Sequence, residues 1–328
     1  PPEVRRRALP EVFTLPGRRL HVLLQMDHFH RGGLEQVVLD VAASLDPALF
    51  RVSLLVLGEA GPGLARAEKA GVQVFTLPKS GREEAYRQLL AGQGVEVVNA
   101  HYSLFGAAIA AGQGIPFVQT VHNTYVWLSP EQVAAYRHND QHTAAYICVS
   151  NNVAFYADSR LGLPVDKMLV IPNGIDLTPW QSAPPPGERA RLRQRLGLRP
   201  DDFVFLNVAS LHLPKAQHVL LAALTQTLQS CPRARLVLLG PTLDVVYEAE
   251  LKEMIAAGLE GAVVFAGHRQ NPAPLYRMAD AFVLPSFFEG GSLALAEAAA
   301  AGLPLIATDV GAAREMLAHT GGHLVSPP

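Results

Sequence analysis

The sequence predicts an α/β chain built as two doubly wound halves in tandem, and three observations carry that expectation. Short β-branched runs alternate with helical patterns almost throughout, the signature of parallel βαβ units. The alternation breaks at length only once, in "VIPNGIDLTPWQSAPPPGERARLRQRLGLRPDD" from Val170, dense first in Pro and Gly and then in Arg. A chain of 328 residues, 49% of them hydrophobic, suits two cores better than one.

Taken in order, "LHVLLQ" (Leu20 to Gln25) reads as the first strand. Gly32 and Gly33 follow, then "LEQVVLDVAASL", whose Leu34, Val37, Val38, Val41 and Leu45 recur at helical spacing. "RVSLLVLG", "VQVFTL", "VEVVNAH", "FVQTVHN" and "AYICVS" are further strands, interleaved with Ala-rich helices. The first domain is expected over 1–176, with 1–18 as an extension, and the second over 177–328, with 177–201 as the linker. Arginines from Arg189 to Arg199 are expected to form a solvated helix face. A second series then runs "FVFLNVAS", "AQHVLLAALTQTLQ", "ARLVLLG", "VYEAELKEMIAAG", "AVVFAG", "NPAPLYRMA", "AFVLPS", an alanine helix and "LPLIATD". The halves share this pattern and no visible sequence repeat.

Composition narrows the function classes. A net charge of -2 supplies no basic excess to neutralise phosphates, which argues against nucleic acid. Arg far outnumbers Lys, as in a GC-rich bacterial genome, with lysine only at Lys69, Lys79, Lys167, Lys215 and Lys252. Cys148 and Cys231 lack metal-ligand spacing, and Cys148 inside "AAYICVS" reads as a buried free thiol of a reducing, cytoplasmic compartment. No apolar run reaches the ~18 residues of a membrane span. The beginning "PPEVRRRALPEV" has no signal-peptide apolar core, and the ends read as those of a trimmed chain or of a piece of a longer polypeptide.

In doubly wound sheets ligands collect at the carboxyl ends of strands. Those ends carry "MDHFHRGG", "HYS" from His101 and "HNTY" from His122 in the first half, and "SLHLPKAQ", "GPT", "GHRQ" and "SFFEGG" in the second. Gly32 and Gly33, and likewise Gly290 and Gly291, precede helices where bare N–H groups could receive an anion; the plainer alternative is a tight turn. His28, His30, His101 and His122 could share one wall, for hydrogen bonding to a polyol or phosphate rather than a metal, since carboxylates are few and only His-x-His has ligand spacing. His21 lies along a strand and reads as structural. "GPGLAR" at Gly61 is discounted as a dinucleotide fingerprint because Arg66 stands where a small residue is needed.

Read together, "ASLHLPKAQ", "PRARLVLLG" and "FAGHRQNPAPLYRMADAFVLPSFFEGGSLALAEAAAAGLPLIATDVGAAREML" resemble the nucleotide-sugar half of family 4 glycosyltransferases. The specific parts are Glu289 and Glu297 with seven residues between them, the following Ala-Gly-Leu-Pro, and "TDVG" with its later Glu315. "RGGLEQVVLDVA", "VNAHYS", "FVQTVHN", "ICVS" and "VIPNGID" extend the resemblance through the first half.

The resemblance implies a GT-B fold, two Rossmann-like domains facing across a cleft. It also implies sugar transfer from a nucleoside-diphosphate donor to an acceptor hydroxyl, with retention and without metal or cofactor. On it, Lys215 neutralises the donor diphosphate, Glu289 lies near the sugar, and Glu297 holds the ribose hydroxyls. The N–H groups of Gly291, Ser292 and Leu293 face the β-phosphate, His122 contacts the transferred sugar, and the loop starting at His268 holds the base through main chain.

Three departures accompany it. Ser210 stands where the family often has a diphosphate-gripping arginine; either Arg31 or Arg269 substitutes for it, or donor binding is weak, or catalysis has been lost. Gly291 and Ser292 stand where a bulkier residue and Gly are commoner. The family's C-terminal helices, which brace the first domain, have no counterpart after Pro328. The acceptor, a glycan, lipid or protein hydroxyl, is left open, as is peripheral contact with the inner face of a membrane. Tyr125 and Trp127 either stack on a sugar or pack, with packing preferred. The rival readings are a non-catalytic sugar-nucleotide-binding or scaffold domain and a GT-B epimerase or phosphorylase.

Overall fold

The computed structural model describes residues 17–29, 32–58, 61 and 63–327. The chain divides into two compact units, one ending at Gly174 and the other starting at Ile175. The first holds a parallel sheet of β1 (Leu20–Met26), β2 (Phe50–Val56), β3 (Gln73–Thr76), β4 (Val97–His101), β5 (Phe117–Val121), β6 (Ala145–Cys148) and β7 (Met168–Val170). Its order is β3-β2-β1-β4-β5-β6-β7, so the winding reverses between β1 and β4. Sequence analysis missed β7, whose three residues are too few to show an alternation.

Helices α1 (Gly33–Ser44), α2 (Leu64–Lys69), α3 (Arg82–Gln93), α4 (Ala107–Gly112), α5 (Pro130–Asn139) and α6 (Asn151–Ser159) connect those strands. Both sheet faces are buried, which is why its strands read as nearly unbroken apolar runs. Successive residues of β1 serve opposite layers: Leu23 packs with Tyr86 and Leu90 of α3, Leu24 with Val38 and Leu39 of α1. His21 is indeed structural, its Nδ1 2.9 Å from the Gln93 carbonyl and its Nε2 2.8 Å from the Ser53 hydroxyl. Cys148 is a buried free thiol, pushed up to about 12 by desolvation. Tyr125 is core, whereas Trp127 is 56% exposed, so the packing expectation holds for the first ring only.

The second unit opens with α7 (Thr178–Gln181) and α8 (Glu188–Arg195). Its sheet has β8 (Phe203–Val208), β9 (Ala234–Leu239), β10 (Val263–Gly267), β11 (Ala281–Leu284), β12 (Leu305–Thr308) and β13 (His323–Val325), in the order β10-β9-β8-β11-β12-β13. The reversal falls between β8 and β11. Helices α9 (Gln217–Ser230) and α10 (Val245–Ala256) pack through Leu221, Leu224, Tyr247 and Leu251 on one side of the strands. Helices α11 (Ala273–Met278), α12 (Leu293–Ala300) and α13 (Ala313–Thr320) pack through Tyr276, Leu295, Ala298 and Leu317 on the other. Among the described residues, no helix is long and apolar enough to cross a membrane.

The expected solvated arginine face is corrected at Arg193, while Arg189, Arg191, Arg195 and Arg199 are exposed as expected. Arg193 is 4% exposed and donates to the carbonyls of Met278, Pro200 and Asp202 and, at 2.6 Å, to Asp280. Arg189 binds the other Asp280 oxygen at 2.5 Å. The five donors of a guanidinium can satisfy a set of buried carbonyls that no aliphatic residue can, so α8 is tied to the end of α11 through a cation. Burial pushes the Asp280 carboxyl up, but the Val204 N–H and the two guanidiniums outweigh it and hold the group below its ordinary value. Replacing Arg193 by Ala should cost about 3–5 kcal/mol in chemical denaturation, because three carbonyls lose this donor and Asp280 loses the more buried of its two guanidiniums. Arg195→Ala, on the exposed side of α8, should cost less than about 0.5 kcal/mol; equal losses would contradict this assignment.

Candidate functional site

In the second unit the carboxyl ends of β8 and β11, at the reversal of winding, carry the two loops that hold Lys215 and Glu289. The loop after β8 passes Ser210 and tightens into a 3-10 turn at Leu213–Lys215. It leaves that turn through Ala216 at φ 51°, a left-handed conformation unfavourable for a residue with a Cβ. The Phe287 N–H donates to the Pro214 carbonyl at 2.9 Å and so clamps this turn to the loop after β11.

The clamp brings Lys215 Nζ to 2.6 Å from Glu289 Oε1, with side-chain exposures of 22% and 10%. Ser286, fully buried, donates to the same oxygen at 2.7 Å. Among the described residues, Glu289 Oε2 has no hydrogen bond and Lys215 has no other acceptor. The carboxylate is anchored by one oxygen and keeps the other for a ligand, while the ammonium retains unspent N–H groups.

The "TDVG" segment acts as a buttress for this loop. Thr308 donates to the Ser286 carbonyl at 2.6 Å, and the Ala312 N–H donates to the Gly290 carbonyl at 2.8 Å. Gly311 sits at φ 55°, where a Cβ would lie 2.5 Å from the Glu289 carbonyl oxygen, so glycine is required there. Ser292 caps α12 by accepting from the Leu295 N–H, and the N–H groups of Leu293 and Ala294 point out of the helix start without a partner among the described residues. Glu297, one turn further on, accepts from the Tyr276 hydroxyl at 2.7 Å. Burial, then the carboxylate, raises the Tyr276 phenol well above its ordinary value, so it stays a donor.

Ser210 hydrogen-bonds His212 Nδ1 at 3.1 Å. Of the two arginines considered as replacements for a charge at that position, Arg269 turns back to the His268 carbonyl, and Arg31 lies outside the described residues. His268 is exposed on the loop following β10.

The first unit gathers its candidates at the ends of β4 and β5. His101 and His122 are buried, with Nδ1 of the former 2.8 Å from Nε2 of the latter. Burial lowers His101 to about 3; burial, then the His101 ring, places His122 well below its ordinary value. Tyr102, at φ 58°, lays its ring parallel to that of His122, and the Tyr125 hydroxyl accepts from the His122 N–H at 2.9 Å. His28 does not join this pair: its ring lies against Gly58, and His30 is outside the described residues.

Gly32 and Gly33 behave differently from Gly290 and Gly291. Glu35 bends its carboxylate back over the start of α1, where a Cβ on Gly32 would lie 2.7 Å from its oxygen. That helix start already faces an anion, so it is the poorer receptor for a phosphate. Sequence reasoning missed Ser286, Tyr276, His101 as a partner of His122, and the capping role of Ser292. A serine three residues before Glu289 was the one available signal. Among the described residues, no group of three His, Cys, Asp or Glu is placed to hold a metal ion.

Comparison with known proteins adds two family models, Glycosyltransferase Family 4 over 31–179 and Glycosyl transferases group 1 over 202–328. The lipopolysaccharide core biosynthesis mannosyltransferase LpsB of Rhizobium meliloti is 33% identical over 181 residues, 54% of this chain and 48% of LpsB. A D-inositol 3-phosphate glycosyltransferase of Frankia alni is 31% identical over 253 residues, 68% of this chain and 60% of that protein. The match therefore spans about half to three fifths of the length of these relatives. Anabaena HepE in complex with UDP-glucose superposes with a TM-score of 0.79 at 25% identity, over 94% of this chain and 86% of HepE. With two parallel sheets of seven and six strands in the GT-B fold and both halves matched in order, the chain belongs to the family 4 glycosyltransferases.

Proposed function

We propose that the chain transfers a sugar from a nucleoside-diphosphate donor to an acceptor hydroxyl, with retention and without a metal. The observation that carries this reading is the Lys215–Glu289–Ser286 cluster beside the open amides of α12. Breaking the bond between the sugar carbon and the phosphate oxygen loads negative charge on the leaving diphosphate. A cation and aimed N–H dipoles stabilise that charge without reorganisation. Lys215 is the cation, and the N–H groups from Gly291 through Leu293 and Ala294 are the dipoles. Glu289 Oε2 accepts from a sugar hydroxyl, Glu297 from the ribose hydroxyls, and the main chain from His268 holds the base. His122 contacts the sugar. Among the described residues we identify no candidate for a covalent nucleophile, so on this reading the acceptor oxygen attacks on the face the diphosphate leaves, and its proton passes to the departing phosphate oxygen.

HepE is described with UDP-glucose, which makes uridine diphosphate sugars the first donors to test. The first unit is the acceptor side, and exposed Trp127 is the aromatic surface on which an acceptor ring would stack. A non-catalytic donor-binding domain is the second reading. Ser210 favours it, since an uncharged side chain stands where the family often has an arginine.

UDP should raise the melting temperature in the presence of EDTA, and Lys215→Ala should remove most of that shift. No shift with UDP, GDP or ADP would sink the donor site. Slow hydrolysis of a nucleotide sugar should fall by about 100-fold or more in Glu289→Ala; an unaltered rate would overturn the role given to Glu289, and a parent with no hydrolysis supports the second reading. The histidines add a pH dependence. The unfolded chain protonates near 6.5, whereas the folded chain holds His101 and His122 neutral. Below about pH 6.5 the unfolded state therefore binds more protons, and stability falls by up to about 1.4 kcal/mol per pH unit for each histidine. For His101 that loss continues to about 3. It should be visible in urea titrations at successive pH values, and a flat profile would contradict it.

A further inference from the structure

The His101–His122 pair has two possible proton arrangements, and its surroundings distinguish them. With both rings neutral, a single hydrogen is shared between His101 Nδ1 and His122 Nε2 across 2.8 Å. If His122 were the donor, His101 would carry its own hydrogen on Nε2. That atom is buried and has no partner, so the arrangement leaves an orphaned N–H away from water. If His101 donates from Nδ1, its buried Nε2 is only a bare lone pair. Orphaned buried N–H groups are the rarer of the two in folded proteins, which selects the second arrangement. His122 Nε2 is then an acceptor, and its hydrogen resides on Nδ1, the ring nitrogen that no other described side chain engages.

The ring is also prevented from turning. His101 meets its edge through the 2.8 Å nitrogen contact with the two planes 29° apart, Tyr102 lies nearly parallel at 5.9 Å, and the Tyr125 hydroxyl holds its backbone N–H. Tyr102 reaches its position only through the left-handed φ of 58°, a conformation of the kind retained where structure over-determines it.

We propose that His101 is a positioning residue that locks His122 in the Nδ1–H tautomer, making it a neutral hydrogen-bond donor toward a sugar oxygen rather than a general base. The assignment of a sugar to His122 rests on the proposed function; the tautomer does not. A neutral donor suits the chemistry. As the bond to the diphosphate breaks, positive charge grows on the sugar carbon, and an imidazolium beside it would oppose that charge. A base is not required of His122, because the leaving phosphate takes the acceptor's proton.

Long-range 1H–15N correlation spectra of the 15N-histidine-labelled full chain at about pH 7, where both rings are neutral, read the tautomer directly. His122 should show a protonated Nδ1 and a bare Nε2, and the opposite pattern overturns the proposal. His101→Leu removes the donor, so His122 should lose its single tautomer. The kcat for hydrolysis of UDP-glucose should fall about tenfold, the equivalent of one hydrogen bond, with KM little changed. His101→Asn places an amide N–H near the position of Nδ1 and should restore both the tautomer and most of the rate. A folded His101→Leu protein with the parent tautomer, or with the parent kcat, overturns the positioning role. Should His101→Leu fail to fold, the spectra of the parent and of His101→Asn decide, since an Nε2–H His122 in either one contradicts the proposal. If the parent hydrolyses no nucleotide sugar, the proposed function fails while the spectra still test the His101 assignment.

Discussion

The second unit depends on one interaction, the largely desolvated ion pair between Lys215 and Glu289. Two charges with 22% and 10% side-chain exposure are costly to take from water, and either one left alone there would be more costly still. The surrounding chain is arranged to keep them together. Ser286 adds a second donor to the shared carboxylate oxygen, the Phe287 N–H ties the two loops, and the "TDVG" segment supports the carbonyls behind Glu289. On the proposed reading, a diphosphate, with more charge and more acceptor oxygens than the carboxylate, would draw on the remaining N–H groups of Lys215.

Backbone conformation marks both halves in the same way. The two non-glycine residues with positive φ among the described residues are Tyr102 and Ala216. The first follows His101 and stacks on His122; the second follows Lys215. Each costs on the order of 1–3 kcal/mol and persists only where packing over-determines it, which is common at ligand sites. Ala216 is fully buried and Tyr102 packs with the core ring Tyr125, so each is fixed by its surroundings.

What could be read in the sequence follows from which forces are local. Strand-and-helix alternation is local, so the two wound units were legible, and β7 was missed because three residues carry no period. Lys215, Glu289 and His122 were picked out as candidates in loops after strands, and Glu297 inside α12 through the family resemblance. Their partners were not. Ser286, Tyr276 and His101 are ordinary residue types whose role lies in a hydrogen bond to one particular atom. Arg193 was misread because in a helix rich in arginine only the packing shows which one faces carbonyls. Gly32 and Gly290 looked alike as glycines before helices. The carboxylate of Glu35 makes the first a different electrostatic environment.

The central claim is that Lys215 serves a diphosphate and that Glu289 competes for it until the donor arrives. Calorimetric titration of UDP into the parent, Lys215→Met and Glu289→Gln tests it most directly. The account predicts changes of opposite sign: Lys215→Met binds UDP more weakly than the parent, and Glu289→Gln binds it more tightly, because a competing negative charge has gone. Weakening by both substitutions, or by neither, would contradict it.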